Sequence, residues 1–324
     1  MTEKCVIIGL GQIGMEYDYE HNNSPIIFSH AKAIKKHSQF QLVGAVDISD
    51  KQRSNFEIRF SLPTYHDLEL ALKKLKPDVV VIATPTETHS SILKNVINIH
   101  KPKIILCEKP LAYELAVAKN MVEICENEGV DLFVNYMRRV DQGVLEIKRR
   151  IETGEIITPI KANVWYSKGI INNGSHFINL LNFWLGDMNS SQIINEGHLL
   201  NKFDPEPDFK LEFNLGVAIF RAAWEESFSH STIELLSHTG RLIYDRGGEH
   251  IEWQAKSEDP FFKGYNTLEK NKQIIKNSMK IYQWQTYDHI YKYLNGQKTT
   301  LCTGFEALKT LRETDIIINQ IGIK

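Results

Sequence analysis

The first half of this chain is best understood from one segment, Val6-Ile7-Ile8-Gly9-Leu10-Gly11-Gln12-Ile13-Gly14. It joins an apolar strand to three glycines in the spacing G-x-G-x-x-G. The first glycine permits a tight turn, the second lets the backbone approach a pyrophosphate, and the third lets the next helix pack against the strand. The start of that helix presents free N–H groups and partial positive charge to phosphates. A dinucleotide-binding loop is therefore predicted, and a glycine-rich turn of no chemical use is the alternative. The residues assigned to the cofactor are Gly9, Gly11, Gln12, Ile13 and Gly14.

The acid that ends the second strand bears on the choice of cofactor. Asp47 follows the apolar run Gln41–Val46, where a carboxylate accepts hydrogen bonds from ribose hydroxyls and repels a 2′-phosphate. This favours NAD over NADP. Asp47 lies farther from the glycines than the usual ~20 residues, and an insertion at Met15–His30 explains the gap. That insertion is a lid, a partner contact or a solvated surface loop, and we interpret Arg53, which would otherwise favour NADP, as a solvated helix residue.

Continuous apolar runs alternate with helical patterns over the first third of the chain. Such runs are typical of strands that are buried on both faces of a parallel sheet. The alternation predicts a doubly wound α/β domain of the Rossmann type. The predicted strands are Val6–Ile8, Gln41–Val46, Asp78–Ala83, Lys103–Cys107 and Asp131–Val134.

The pattern changes near residue 160, where alternating strands and hairpin turns replace the continuous runs. This predicts an α+β domain with a mostly antiparallel open sheet, one face of which is covered by helices. We place the Rossmann domain at 1–122 and the substrate-binding and oligomerisation domain at 123–324, with the final helix able to pack back on the first domain. The crossing falls within 114–140. The predicted elements are a strand at 161–168, a helix at 173–185, hairpins at 210–221 and 242–253, and helices at 268–294 and 305–318.

The composition excludes several classes of protein. The net charge of -2 provides no basic field for nucleic acid. The four scattered cysteines do not support a zinc site or a disulfide framework, so no metal is expected. No apolar run reaches the ~18 residues that a membrane span needs. Because the N-terminus runs straight into a strand without a signal peptide, we expect a cytoplasmic protein.

Three further motifs follow successive predicted strands. They are Ala83-Thr84-Pro85-Thr86-Glu87-Thr88-His89, Cys107-Glu108-Lys109-Pro110-Leu111-Ala112 and Val134-Asn135-Tyr136-Met137-Arg138-Arg139. With the glycine loop, their order resembles the glucose–fructose oxidoreductase, inositol dehydrogenase and rhizopine-catabolism (Gfo/Idh/MocA) family. The resemblance covers residues 4 to about 187, and Thr303–Leu308 also resembles the family's closing helix. The E-K-P motif is its most specific feature.

The resemblance implies roles for these residues. Lys109 would be the active-site lysine that contacts the substrate hydroxyl, and a cis bond often precedes the equivalent of Pro110. Glu108 would hold its loop near the nicotinamide. The alternative for Lys109 is a surface lysine. The remaining cofactor contacts implied are Thr84, Pro85, His89, Glu108 and Lys109.

The family's second motif, Asp-x-x-x-His, is altered here. His176 is present, but Asn172 replaces the aspartate, and Asn179 replaces an acid three positions after the histidine. On a helix, residues four apart share a face, so Asn172 can orient His176 without supplying charge. Otherwise Asn172 caps a helix, and His176 is a packing residue.

Two pairs of side chains are further candidates for substrate contact. Arg138 and Arg139 bind a substrate phosphate or carboxylate bidentately, or pair with surface acids at a helix start. Trp165 and Tyr166 alternate on a strand, so only one of them faces a sugar site. We assign Arg138, Tyr166, Asn172, Lys109 and His176 to the substrate.

These motifs predict an oxidoreductase that transfers hydride between NAD(P), with NAD preferred, and a secondary alcohol of a sugar, nucleotide-linked sugar or cyclitol. Lys109 and His176 would share the alcohol proton. The alternative is a non-catalytic dinucleotide sensor of the same fold. The predicted partners are a sugar-like small molecule and copies of the chain, as a dimer or tetramer through the C-terminal sheet, without nucleic acid or membrane.

Overall fold

A computed structural model describes residues 2–20, 24–200, 204–224 and 228–322. Its contacts divide the chain into two compact units, residues 1–140 with 280–309 and residues 141–279 with 310–324. The first unit extends beyond residue 122 because a sixth strand, Asp131–Val134, pairs with its sheet. The division of cofactor and substrate binding between the units stays a prediction.

A parallel sheet forms the centre of the first unit. Its strands are β1 (Glu3–Ile8), β2 (Phe40–Val46), β3 (Thr64–Tyr65), β4 (Val79–Ile82), β5 (Ile104–Cys107) and β6 (Asp131–Val134). They are arranged in the order β3-β2-β1-β4-β5-β6. Every residue of β4 and β5 is buried, because helices cover both faces of such a sheet. The doubly wound α/β fold is confirmed, and the order reverses at β1, beside which Rossmann folds bind their ligands.

Local sequence sets many of the helix ends. The Ser29, Ser49, Asp67 and Asp141 side chains each accept a backbone N–H two or three residues later, as N-caps do. Among the residues that the structure describes, each helix is too short or too polar to span a bilayer. The helices are α1 (His30–Lys36), α2 (Asp50–Phe60), α3 (Leu68–Leu75), α4 (His89–Ile99), α5 (Leu115–Glu128), α6 (Gln142–Glu152), α7 (Ser175–Leu185), α8 (Tyr282–Leu294) and α9 (Gly304–Ile318).

The second unit contains a nine-stranded sheet. Its strands are β7 (Ile160–Tyr166), β8 (Met188–Asn195), β9 (Asp208–Phe213), β10 (Gly216–Ala222), β11 (Thr232–Ser237), β12 (Gly240–Asp245), β13 (His250–Glu258), β14 (Asn266–Leu268) and β15 (Gln273–Ile274). The order is β14-β13-β12-β11-β7-β10-β9-β8, and β15 pairs with β13. Only the β7–β10 pair is parallel among these described strands. Both predicted hairpins are confirmed, as β9–β10 and β12–β13.

One face of this sheet is buried and the other is open. Along β7, residues 160, 162, 164 and 166 are buried, whereas Lys161, Asn163 and Trp165 are exposed. The buried side chains share a core with Leu181 and Trp184 of α7. This period-two alternation is the pattern of a sheet with helices on one face. The predicted α+β class of the second half is confirmed.

The helix predicted for residues 268–294 is shorter in the structure. It begins at Tyr282 as α8, and the residues before it include β14 and β15. The Ile275 N–H donates to the Ile251 carbonyl on β13 (2.9 Å), and the Ile275 side chain is buried. Pairing with the edge of β13 therefore overrides the local helical pattern, as tertiary contacts commonly do.

Candidate functional site

The three loop glycines have separate steric roles. Gly9 has a φ of +96°, and a Cβ there would lie 2.6 Å from the Ala83 carbonyl oxygen. A Cβ at Gly14 would lie 2.1 Å from the Gly9 carbonyl oxygen. A Cβ at Gly11 would meet no atom of the described residues within 4 Å. The first and third glycines are thus required by the fold, and the second faces open space, as a loop that is approached by a pyrophosphate should.

The helix after the glycine loop is interrupted by a looped-out segment. The N–H groups of His30 and Ala31 donate to the carbonyls of Ile13 and Gly14, each at 3.0 Å. A helix makes these bonds to the fourth residue back, but here the separation is seventeen, so thirteen residues are excluded from the ladder. Asp47 follows Gly14 by thirty-three positions, and without those thirteen the spacing is the usual ~20. The predicted insertion is confirmed.

Asp47 is tied to the glycine loop. One carboxylate oxygen accepts the Leu10 N–H (2.7 Å) and the other accepts the Ser49 N–H (2.7 Å). The Arg53 guanidinium donates to the Asp47 carbonyl (2.6 Å) and pairs with the Asp50 carboxylate. Arg53 is therefore held against the end of β2, and its interpretation as a solvated residue is wrong.

His89 lies between the loop that follows β4 and the loop that follows β5. Its Nε2 is 2.9 Å from the Thr84 carbonyl and its Nδ1 is 3.3 Å from the Leu111 carbonyl, and the side chain is 1% exposed. The Thr84 hydroxyl accepts from the Thr88 hydroxyl at 2.8 Å. His89 begins α4, as predicted, but its ring joins the Thr84–Pro85 turn to the loop after β5. We therefore place it as a positioning residue rather than a direct cofactor contact.

The E-K-P motif follows β5 at the carboxyl edge of the first sheet. The bond between Lys109 and Pro110 is cis, as the resemblance implied, and Lys109 is half-buried. Burial raises the pKa of Glu108, but hydrogen bonds from His30 and Asn135 and the charges of His30 and Lys109 outweigh it, so that the pKa lies below its ordinary value. The carboxylate beside Lys109 is therefore ionised at neutral pH.

A buried polar network holds Glu108. Its Oε1 lies 2.9 Å from His30 Nε2 and 2.6 Å from Asn135 Nδ2. Asn135 also donates to Gln283 (3.0 Å), and His30 Nδ1 lies 2.9 Å from the Tyr287 hydroxyl. The motif around Asn135 was visible in the sequence. His30, Gln283 and Tyr287 carried no signal, because only the fold brings together the start of α1 and α8.

The two adjacent arginines differ. Arg139 is buried, and its guanidinium donates to Glu306 (2.6 Å). Glu306 also accepts the Thr303 N–H (2.9 Å), while the Thr303 hydroxyl accepts the Glu306 N–H (3.2 Å), which forms a capping box at the start of α9. For Arg139 the structural interpretation is therefore confirmed. Arg138 is half-buried and stays the candidate for substrate contact.

In the second unit, His176 is the second residue of α7 and is buried. A wide π-helical turn, Gly169–Gly174, precedes α7, and Asn172 in that turn is exposed. Asn179 is buried and donates to the Thr310 hydroxyl (2.9 Å), so it anchors α7 to α9. Lys109 belongs to the first unit and His176 to the second, so their convergence on one substrate stays a prediction.

Two buried acids hold the turn before α7. Asp204 accepts the N–H groups of Ile171 (2.7 Å) and Asn172 (3.0 Å), and Glu206 accepts that of Gly169 (3.0 Å). These carboxylates satisfy donors at the start of the helical segment. The acid–proline alternation at 204–208 was their signal in the sequence, but the amides that they meet depend on tertiary structure. No group of three potential metal ligands occurs among the residues that the structure describes.

The assignment of Tyr166 to the substrate does not fit the structure. Its side chain is fully buried in the core, and its hydroxyl donates to the Pro207 carbonyl (2.6 Å). Burial and the charges of nearby acids raise its pKa. Trp165, its neighbour on β7, is 38% exposed, but it lies on the open face of the sheet. The alternation of strand side chains was predicted correctly, and the assignment of Tyr166 to the substrate is wrong because its side chain faces the core.

The first unit thus has the features of a dinucleotide-binding Rossmann protein: a glycine loop open at its second glycine and an acid at the end of β2. Residues 3–136 match the sequence profile of the family described as "Oxidoreductase family, NAD-binding Rossmann fold". This unit therefore resembles the Gfo/Idh/MocA family, as its motifs suggested.

Named relatives and solved structures resemble the chain to different extents. It is 31% identical over 163 residues to scyllo-inositol 2-dehydrogenase (NAD(+)) of Bacillus subtilis, covering 48% of this chain and 42% of that protein. The chain spans less than half the length of the curated relatives that it matches first. It shares its fold with a Desulfitobacterium hafniense protein described as an NADPH-dependent oxidoreductase (TM-score 0.80, 15% identity, 99% and 96% coverage). The WlbA dehydrogenase of Bordetella pertussis, crystallised with NADH and UDP-GlcNAcA, is also similar (TM-score 0.74, 18% identity, 100% and 99% coverage).

Proposed function

We propose that the chain is an NAD-dependent dehydrogenase that oxidises or forms a secondary alcohol on a sugar, a nucleotide-linked sugar or a cyclitol. The observation that carries the proposal is the placement of Lys109. Lys109 follows β5 at the carboxyl edge of the first sheet, and the glycine loop follows β1 at the same edge. Its neighbour Glu108 is held by a buried network. Ligands of doubly wound sheets bind along this edge.

The nicotinamide, when bound, supplies the hydride chemistry. The Lys109 ammonium donates a hydrogen bond to the reacting hydroxyl, and the His176 imidazole accepts the proton of that hydroxyl as the alcohol is oxidised. A neutral imidazole serves as a base near pH 7. The meeting of the two residues across the substrate is part of the proposal.

The substrate class rests on what the relatives act on and on one side chain. The inositol dehydrogenases act on a cyclitol, and WlbA binds a nucleotide-linked sugar acid. Both ligands are rings that carry several hydroxyls. Arg138, half-buried on the turn after β6, supplies a cation for a phosphate or carboxylate on such a ring. We therefore expect polyhydroxylated rings to be preferred over simple alcohols.

Two sequence departures favour a second candidate, a non-catalytic dinucleotide sensor. Asn172 is exposed, and Asn179 is bonded to Thr310, so neither position supplies the acid of the family pattern.

Cyclitols, sugars and nucleotide-linked sugars should be tested with NAD⁺ by NADH absorbance, and ligand binding by thermal shift. Turnover of any of these supports the dehydrogenase. Cofactor binding without turnover in either direction, with a ligand that raises Tm, supports the sensor.

The predicted assembly and location remain part of this proposal. The open face of the second sheet carries apolar side chains, including Trp165, Val217, Ile219, Leu236 and Ile243, among charged ones. A second copy of the chain would cover them, so a dimer or tetramer is expected in sedimentation at micromolar concentration. A monomer would contradict this. The cytoplasmic location stays a prediction.

A further inference from the structure

The looped-out segment after the glycine loop is closed on itself. Asp18 is 1% exposed, and its carboxylate accepts the N–H groups of Phe28 (2.8 Å) and Ser29 (3.1 Å) and the Ser29 hydroxyl (2.5 Å). These bonds join the beginning of the insertion to the residue that caps α1. A carboxylate with three donors is a firm anchor. The described part of the insertion is therefore an ordered element, but Tyr17 is 52% exposed, so the lid, the partner contact and the surface loop all stay predictions.

The same segment is docked on α2. The Arg59 guanidinium donates to the carbonyls of Tyr19 and Asp18. Its carbon lies 4.5 Å from the centroid of the Tyr19 ring, in the geometry of a cation–π contact. The Tyr19 hydroxyl lies 3.5 Å from the Asn55 carbonyl. These contacts fix the first residues of the insertion beside the helix that follows Asp47.

Glu16 lies between the glycine loop and α2. Its Oε2 accepts from Gln12 Nε2 (3.0 Å), and its Oε1 accepts from Gln52 Nε2 (2.6 Å). Gln12 belongs to the glycine loop, and Gln52 lies in the first turn of α2. Both donors are neutral amides, so these bonds orient the carboxylate without neutralising its charge. The two hydrogen bonds from Gln12 and Gln52 to Glu16 form a polar bridge between the glycine loop and α2. A polar cavity lies beside this bridge, lined by Gln12, Met15, Glu16, Tyr17, Tyr19, Glu20 and Asn55.

The bridge adjoins the part of the fold that discriminates NAD from NADP. Asp47 binds both the loop and the Ser49 N–H at the start of α2, and the ribose 2′ position of Rossmann ligands lies at this strand end. Arg53 is the cation that could attract a 2′-phosphate, but its guanidinium is paired with Asp50. Glu16 adds a carboxylate from outside the G-x-G-x-x-G motif, and its partner Gln52 donates its own backbone N–H to the hydroxyl of Ser49 (3.4 Å), two residues after Asp47.

We propose that Glu16 is a determinant of cofactor choice that disfavours a dinucleotide carrying a 2′-phosphate. It acts through charge, since NAD lacks the phosphate and is not repelled. Removing one partly exposed carboxylate near a phosphate should change NADPH affinity by roughly three- to tenfold at low salt. The inference rests on dinucleotide binding by the first unit and does not require that the chain be a catalyst.

The test is equilibrium binding of NADH and NADPH to the full chain, followed by cofactor fluorescence at low ionic strength. Glu16→Gln should lower the ratio of the NADPH Kd to the NADH Kd by roughly three- to tenfold, with little change for NADH. Raising the salt concentration should shrink the difference between the variant and the unaltered chain, because the repulsion is screened.

Two further variants separate charge from structure. Glu16→Asp shortens the bridge but keeps the charge, so the Kd ratio should stay near that of the unaltered chain. Glu57 lies on α2, and its carboxylate is bonded to Thr64 rather than to the glycine loop. Glu57→Gln should therefore leave the ratio of the NADPH Kd to the NADH Kd unchanged. The proposal is overturned if Glu16→Gln leaves the ratio unchanged or weakens both cofactors equally. It is also overturned if Glu16→Asp shifts the ratio as much as Glu16→Gln does.

Discussion

His30 Nε2 lies 2.9 Å from Glu108 Oε1, although the residues are 78 positions apart in the sequence. His30 begins the helix that resumes after the insertion, and Glu108 directly precedes Lys109. The interrupted helix and the E-K-P loop are therefore joined by one buried contact. Tyr287 completes it from α8, at 2.9 Å from His30 Nδ1.

This contact predicts a pH-dependent contribution to stability. Because the pKa of Glu108 is lowered in the folded chain, its ionised form stabilises the fold above the unfolded value near 4.5. That contribution is lost as the pH falls through the lower folded value. At pH 7, Glu108→Gln should lower the free energy of unfolding by about 1–3 kcal/mol, as measured by denaturant titration. The difference from the unaltered chain should shrink below pH 4.5. A difference that is constant from pH 7 to pH 3 would contradict the assignment.

The steric roles of the glycines predict opposite outcomes for two alanine variants. Gly11→Ala meets open space, so stability should change by less than about 0.5 kcal/mol, while NADH affinity falls at least about tenfold because the methyl group blocks the pyrophosphate. Gly14→Ala places a methyl group against the Gly9 carbonyl and should cost about 1–3 kcal/mol of stability. Thermal unfolding and cofactor titration of both variants test this pair. Normal cofactor binding by a stable Gly11→Ala would place the pyrophosphate elsewhere.

The proposed catalytic pair predicts loss of turnover without loss of cofactor. Lys109→Ala and His176→Ala should each lower kcat by about 10²–10⁴-fold, the usual contribution of a positioned acid or base. Both should still bind NADH, because neither alters the glycine loop. Lys101→Ala, which removes a surface lysine paired with Glu128, is the matched control. Full turnover by both alanine variants on the true substrate would show that the catalytic assignment is wrong.

Restoring the family's acid predicts a change in pH dependence. Asn172→Asp places a carboxylate four residues before His176, which favours the protonated imidazole and raises its pKa. If neutral His176 is the base, the acidic limb of the kcat profile should move to higher pH by about 0.5–1 unit, with activity retained. Asn173→Asp, at the neighbouring position, is the control. Equal profiles for all three proteins would remove His176 from proton transfer or place residue 172 away from it.

Local sequence patterns located five of the six strands of the first unit and missed the two-residue strand β3. Short continuous apolar runs that alternate with helical patterns are typical of a parallel sheet covered on both faces, and the glycine spacing sets the turn after β1. Such patterns are local, so Gly9, Gly14 and Asp47 could be located from the sequence. The alternation of apolar and polar side chains along β7 likewise predicted a sheet with one buried face. It could not show which of Trp165 and Tyr166 faced the core.

Contacts between residues that are distant in the sequence depend on the tertiary fold. No local pattern links His30 to Glu108, Asp204 to the turn before α7, or Glu16 to Gln52, because each contact joins segments that only the packed sheets and helices bring together. Tertiary contacts also explain why α8 begins at Tyr282 and not near residue 268. Residues 273–275 are stabilised more by hydrogen bonds to β13 than by continuing a helix. Periodicity records which face of an element is buried, whereas hydrogen-bond partners depend on the neighbours that the fold supplies.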